Sequence, residues 1–400
     1  MIKKHINIIL FGFIGISFVF WILQLKTGLI LTNMRNPYPW GLYISGLEFF
    51  VGNAAGGLIL SSLIYLFDIT KLKAFAKLGA LCAFANVIAG MTIVIPDIGR
   101  PIKLLNLFIH PNFYSPMIWD IIILFSFVCF TIIYLIVLML PDIKGQKYLV
   151  KSENFAKTIA PFSLILAISM HVITAWIFAT QGAREWWHTA ILAPDFITLA
   201  IISGTSLILL ISAIIYGNNS AYIPSLKLMS KFIIVAFLIH LFFLYNDFVV
   251  KLWYNSADEV APINIIVKDN IILHSLEILL PVVSIIILFY ANKYYNKTAI
   301  IISSILFICG VFIHRYLLMP GGFNYTPLTI DVNGLQHTKW SMPVSLGEFQ
   351  HFSNVFTAKY IYHPSITEIV IFTGVLLFMV YIILICIKLL PITNYKGNES

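Results

Sequence analysis

Residues 46–67 read "GLEFFVGNAAGGLILSSLIYLF", with Glu48 in the first turn and no further charge before Asp68. The run matches the roughly 20 apolar residues that a helix needs to cross the hydrocarbon core of a bilayer. Gly52 and Gly56 stand four apart, with Ala55 and Gly57 beside them. Small residues at that spacing let a second backbone come close, which is how helices associate in lipid. The stretch therefore reads as a membrane helix built to pack, carrying a carboxylate where charge is costly.

Working outward, the same apolar character recurs along the chain. Sixty per cent of the 400 residues are hydrophobic, 10% are charged and the mean hydropathy is +0.93. Soluble domains carry about 25% charged residues, so this composition excludes a water-soluble globule. About ten spans are expected, at 6–25, 46–67, 76–96, 117–140, 159–180, 190–216, 229–250, 271–291, 298–319 and 366–390. The fold class is an all-α integral membrane protein, one membrane domain over 1–400 lying in a lipid bilayer. The first run follows Lys3 and Lys4 as a secretory signal would, but its apolar core is too long and no A-x-A-like site follows. It is read as a retained helix.

With an even number of spans both termini share a side. That side collects 15 of the 25 Lys and Arg residues in short loops, and the other holds 10 in longer connectors. The positive-inside rule then puts both termini in the cytoplasm. The net charge of +8 sits mostly at span ends, so it reads as topology and lipid-headgroup contact, not as a nucleic-acid surface. Cys82, Cys129, Cys309 and Cys386 are isolated, with no CxxC or CxxCH, which argues against an iron–sulfur cluster, a metal site or a covalent haem in this chain. No Walker A loop or dinucleotide fingerprint occurs. The stretch 320–365 has little apolar periodicity and is read as an outer-face loop suited to docking or to a lid.

Ionisable residues within the spans are the functional candidates. Glu48 opens the glycine span. His171 lies past the middle of the fifth, and His240 lies at matching depth in the seventh. Asp97 and Arg100 bracket the connector "PDIGRP", and Asp120 lies just inside the next span. Asp195, His274, Glu277, His314, Arg315 and Glu368 form a second set near outer helix ends, where snorkelling accounts for most of them.

"GLEFFVGNAAGG", "PDIGRP" followed by "HPNFYSPMIWD", then "HVITAWIFATQGAREWWHTAILAPDFITLAIISG" and "HRYLLMP" with "YHPSITE" occur in this order. Together they resemble the NrfD/polysulfide reductase C family of membrane subunits. The resemblance is to its ten-helix branch, which includes subunits of the high-molecular-weight cytochrome complex, the sulfite-reductase-associated complex and alternative complex III. It implies a core of two four-helix bundles, 46–180 and 190–319, with 366–390 as the last span. It implies a cofactor-free, quinone-binding subunit of a respiratory complex in a bacterial inner (cytoplasmic) membrane, using menaquinone or ubiquinone. It implies an iron–sulfur ferredoxin-like partner at the outer face, with a multihaem cytochrome c or a molybdopterin subunit as further candidates. Carried over residue by residue, it lines the quinone pocket with Glu48, Asn53, Asp97, Arg100, Trp119, Asp120, His171 and Trp176. Where some members carry a histidine in the glycine run, this chain has "GNAAGG", which leaves Asn53 to hydrogen-bond a quinone carbonyl.

The chemistry suits those residue types. Quinone exchange moves two electrons and two protons, so it needs an apolar slot, a donor to the carbonyl oxygens and a proton acceptor of adjustable pKa. Asp97 and His171 are the expected acid–base pair. Glu48, Asp120, Asp195, Glu277 and Glu368 are candidates for a proton path, and Ser61, Ser62, Ser206 and Ser212 lie in the inner half should protons cross the membrane. Two alternatives stand beside this reading: a b-type cytochrome clamped by His171 and His240, and a secondary transporter.

Overall fold

The computed structural model describes residues 4–36, 38–254, 260, 263–264, 267–324, 330–331, 339–340 and 361–393. Among them, ten helices are long and apolar enough to cross a membrane. They are α1 (Lys4–Thr27), α2 (Leu42–Leu66), α3 (Lys73–Asp97), α4 (Pro116–Lys144) and α5 (Leu149–Ala179). They continue as α6 (Leu192–Tyr216), α7 (Ile223–Tyr254), α8 (Ile271–Tyr294), α9 (Lys297–Phe323) and α10 (Ile366–Leu389). The protein is an all-α integral membrane protein. Its strands among the described residues are a two-residue ribbon pairing Ile330 with Trp340 and Asp331 with Lys339.

Several helices outrun their expected spans. The fifth begins at Leu149, not 159, and the ninth ends at Phe323, not 319. Hydropathy marks the part of a helix immersed in hydrocarbon, whereas the hydrogen-bonded ladder carries on into the polar interface. The expected loop 320–365 thus starts with the last turn of α9, and its stretches 325–329, 332–338 and 341–360 lie outside the described residues.

Local signals set the ends. Pro116 opens α4 where a missing N–H costs nothing, and Gly145 at φ 102° closes it. Ser365 and Glu368 form a reciprocal capping box on α10. α2 lies at the centre and is almost wholly buried, whereas most of α1 is exposed on the flank. It packs on α3 and α5, and α4 packs on the same two helices, closing one ring. A second ring is closed by α6 and α8, each against α7 and α9. α2 and α5 join the rings through α6, while α1 and α10 pair on the flank of α3.

The seam between rings depends on glycine. A Cβ at Gly204 would lie 2.7 Å from Gly56 Cα, and one at Gly56 would enter the Ala200 carbonyl. The expected packing face of the GxxxG run is real at Gly56. Gly52 instead faces the His171 ring and the Ser203 hydroxyl, at 3.9 Å from where its Cβ would be.

Candidate functional site

Helix alternation brings the N-terminal turns of α2, α4, α6, α8 and α10 to the end where the long connectors lie. Most buried ionisable groups among the described residues gather in that half, and most of those fall in two clusters.

The first fills the seam where α2, α5, α6 and α9 meet. Glu48 and Arg315 are each 1% exposed and His171 is wholly buried. The Arg315 guanidinium stands 3.9 Å from the Glu48 carboxylate, donates to the Phe196 carbonyl at 3.1 Å and lies 3.8 Å over the Phe196 ring. His171 meets the same ring edge-on. Asp120, from α4, accepts from the Thr174 hydroxyl at 2.5 Å, one turn along α5 from His171. Many of these polar atoms have no hydrogen-bond partner: Glu48 Oε2, Asn53 Oδ1, both nitrogens of His171, Ser203 Oγ, and Nε and NH1 of Arg315. Buried polar groups normally find partners, so a concentration of orphans marks where a polar ligand or water belongs.

The second cluster lies inside the α6–α9 ring, and each of its five members is paired with another. His240 Nδ1 meets Asp195 at 2.6 Å. His314 presents Nε2 to Asp195 at 3.5 Å and Nδ1 to Glu277, which also meets His274 Nδ1 at 3.1 Å. Snorkelling does not describe this set: Asp195, Glu277, Arg315 and Glu368 are all buried. The helix end taken at 319 concealed it, because α9 runs on to Phe323 and places His314 and Arg315 a further turn inside.

The remaining candidates sit elsewhere. Asp97 ends α3 with a buried, unpartnered Oδ1, while Arg100 is exposed and makes no ion pair with it. Beside Asp97, a cavity of about 250 Å³ opens between α1, α3 and α10, lined by Ser17, Trp21, Thr92, Pro96, Ile371 and Val375. The Trp21 indole N–H is unpartnered there. Gln24 of α1 ties this corner together, donating to the Pro96 carbonyl at 2.8 Å and accepting from the Tyr43 hydroxyl at 2.6 Å. Nothing in the sequence of α1 singled out Trp21 or Gln24. Trp119 and Trp176 are about half exposed on the lipid-facing surface.

Glu368 is bound up in capping: it accepts from the Asn33 and Ser365 amides at 3.0 and 2.9 Å and from the Tyr362 hydroxyl. Burial, reinforced by that carboxylate, holds the Tyr362 phenol far above the ordinary tyrosine range. His171 and His240 belong to different clusters, one against Phe196 and the other on Asp195. Among the described residues no group of three His, Cys, Asp or Glu side chains is arranged to hold a metal ion.

Comparison with known proteins places these features in a family. Residues 30–327 match the family model described as polysulphide reductase, NrfD. A Halobacterium salinarum protein, provisionally named as a membrane subunit of dimethyl sulfoxide reductase, is 39% identical over 204 residues, covering 48% of this chain and 47% of its own. The Hdr-like menaquinol oxidoreductase integral membrane subunit of Archaeoglobus fulgidus is 30% identical over 202 residues, 50% of this chain and 48% of its own. One of the polysulfide reductase chains of Wolinella succinogenes is 26% identical over 195 residues, 46% of this chain and 62% of its own. The chain spans about half the length of the first two of these relatives.

Proposed function

The chain belongs to the NrfD polysulphide reductase family, and from that premise we propose that it is the quinone-reactive membrane subunit of a respiratory oxidoreductase. It exchanges electrons between the quinone pool of the membrane and an iron–sulfur partner docked at the long-connector end. Menaquinone is the favoured pool, since the Archaeoglobus relative is named for menaquinol. The lysine-rich end faces the cytoplasm of a bacterial inner membrane. The two rings are read as the two four-helix bundles at 46–180 and 190–319.

The observation that carries this reading is the seam of orphaned polar atoms at Glu48, Asn53, His171 and Arg315. Its polar set fits a quinone/quinol head group: the His171 imidazole to meet a carbonyl oxygen, Asn53 Oδ1 to accept from a quinol hydroxyl, and walls formed by Phe196 and the small residues of α2. The quinone supplies the two-electron, two-proton couple. His171, with both nitrogens free, takes or gives a proton at one of them and holds its ring on Phe196. Glu48 is a second proton acceptor, and Arg315 keeps that carboxylate oriented at low electrostatic cost. The apolar cleft at Trp21 and Pro96 lies apart from this seam, between α1, α3 and α10.

The test is quinol-dependent turnover of the membrane-bound complex, with organic extraction of the purified sample. Wild type is expected to co-extract quinone, and His171→Gln to lower turnover by about 100-fold with unchanged thermal stability. A preparation that neither holds nor oxidises quinol would sink the reading.

A further inference from the structure

The proposed reaction uses the seam and leaves the second cluster idle. That cluster joins four helices by side-chain contacts alone: His240 of α7, Asp195 of α6, His314 of α9, then Glu277 and His274 of α8. We infer that these five groups form a proton-release relay from the membrane interior to the aqueous phase at the long-connector end. The inference rests on the quinone reading, since quinol oxidation supplies the protons.

Charge balance decides how such a set works. In a bilayer interior a net charge is strongly disfavoured. Two ionised carboxylates with three imidazoles are neutral when two imidazoles are protonated. His314 faces a carboxylate at each ring nitrogen, so both N–H groups of an imidazolium have acceptors. The second proton then resides on either His240 or His274, the two ends of the chain. Moving it from one end to the other within the set changes no net charge: His314 gives its Nδ1 proton to Glu277, whose carboxyl turns and delivers it to His274, while His240 gives its proton to Asp195 and the neutral His314 ring turns its free nitrogen to receive it. Release from His274 and uptake at His240 then complete the cycle. No oxidant or co-reactant is needed.

The ends differ in the required sense. The His240 side chain is 5% exposed and that of His274 is 19%. A cavity of about 50 Å³, lined by Asp195, His314, Thr189 and Asp247, adds room for at least one water beside the middle of the relay. At its rim Thr189 donates to Asp247, which also pairs with Lys251 at 2.6 Å. Among the described residues, those two and Arg315 are further charged groups beside the relay. The relay meets the seam through two dipeptides. Asp195–Phe196 and His314–Arg315 each give one residue to the relay and the next to the seam, which sets the two clusters side by side on α6 and α9.

The membrane-bound complex, supplied with a short-chain quinol, tests this by turnover in H2O and D2O and by separate measurement of quinol binding. Glu277→Gln and His274→Ala are expected to bind quinol normally and to turn over about 100-fold more slowly. The solvent isotope effect should rise, and added imidazole should partly restore His274→Ala. A merely structural salt-bridge cluster predicts neither the isotope effect nor the rescue. Turnover and isotope effect like wild type in both variants would overturn the relay, as would loss of binding together with turnover. Wild type that fails to bind or oxidise quinol would overturn the quinone reading first and the relay with it.

Discussion

In the α2–α5 ring, Glu48 and His171 lie buried with hydrogen-bonding atoms unused, whereas in the α6–α9 ring Asp195 and Glu277 are bonded to three histidines. Each orphaned group costs about 1–3 kcal/mol of stability, so the first arrangement is expensive and the second is not. A seam that keeps several orphans side by side is shaped for something it does not itself contain. A satisfied chain of acids and imidazoles has no need of a ligand and is suited to passing charge. The contrast separates a binding place from a conducting one, though both are assembled from the same residue types at the same depth.

The contrast breaks most sharply at Arg315. Its removal leaves Glu48 buried and unpaired, and breaking a buried pair from one side costs about 3–5 kcal/mol. Arg315→Met is therefore expected to lower the melting temperature of the detergent-solubilised protein more than any other variant discussed. The double variant with Glu48→Gln should recover most of that loss but not the turnover. A single variant that melts like wild type would mean that the seam is wet enough to tolerate a free carboxylate.

A middle-sized effect is expected where the two rings touch. Gly204→Ala pushes a methyl group into Gly56, and overpacking of this kind costs about 1–3 kcal/mol. Gly12 and Gly15 of α1 have nothing within 4 Å of a built Cβ, so alanine there should leave melting unchanged. Equal melting of all three variants would show that the rings slide freely past one another, and a fixed junction at Asp195–Phe196 would then fail.

Much of this was legible in the sequence, for physical reasons that also mark its limits. Spans are visible because lipid demands long apolar runs, and the glycine run of α2 announced a packing face. Glu48, Asp120 and His171 stood out because charge in a bilayer is costly, and Asn53 only through the family resemblance; the structure brings all four to one seam. Arg315 and His314 were taken for helix-end residues because apolar character fades near 319 while the helix continues to Phe323. The pairings of Gln24 with Tyr43 and of Trp21 with a cleft are decided between spans, and no one-dimensional pattern carries them.

The smallest effect belongs to the opposite end of the same helices, where charges meet in water. Asp68, between α2 and α3, pairs with Lys157 at 3.0 Å and Lys73 at 3.2 Å, and Lys73 also reaches Glu153. Hydrogen bonds from Lys157 and then Lys73 hold the Asp68 carboxyl below its ordinary value of 3.8. A carboxyl lowered in the folded state adds stability above its unfolded value, and that contribution disappears as pH falls through the lowered one. Asp68→Asn should thus melt slightly below wild type across neutral pH, with the gap closing only in acid. The Asp68 side chain is 54% exposed, so salt should screen the pair and close the gap as well. A gap that survived high salt would show this end to be as dry as the seam, and the distinction between charges held in water and charges held in lipid would no longer divide the molecule.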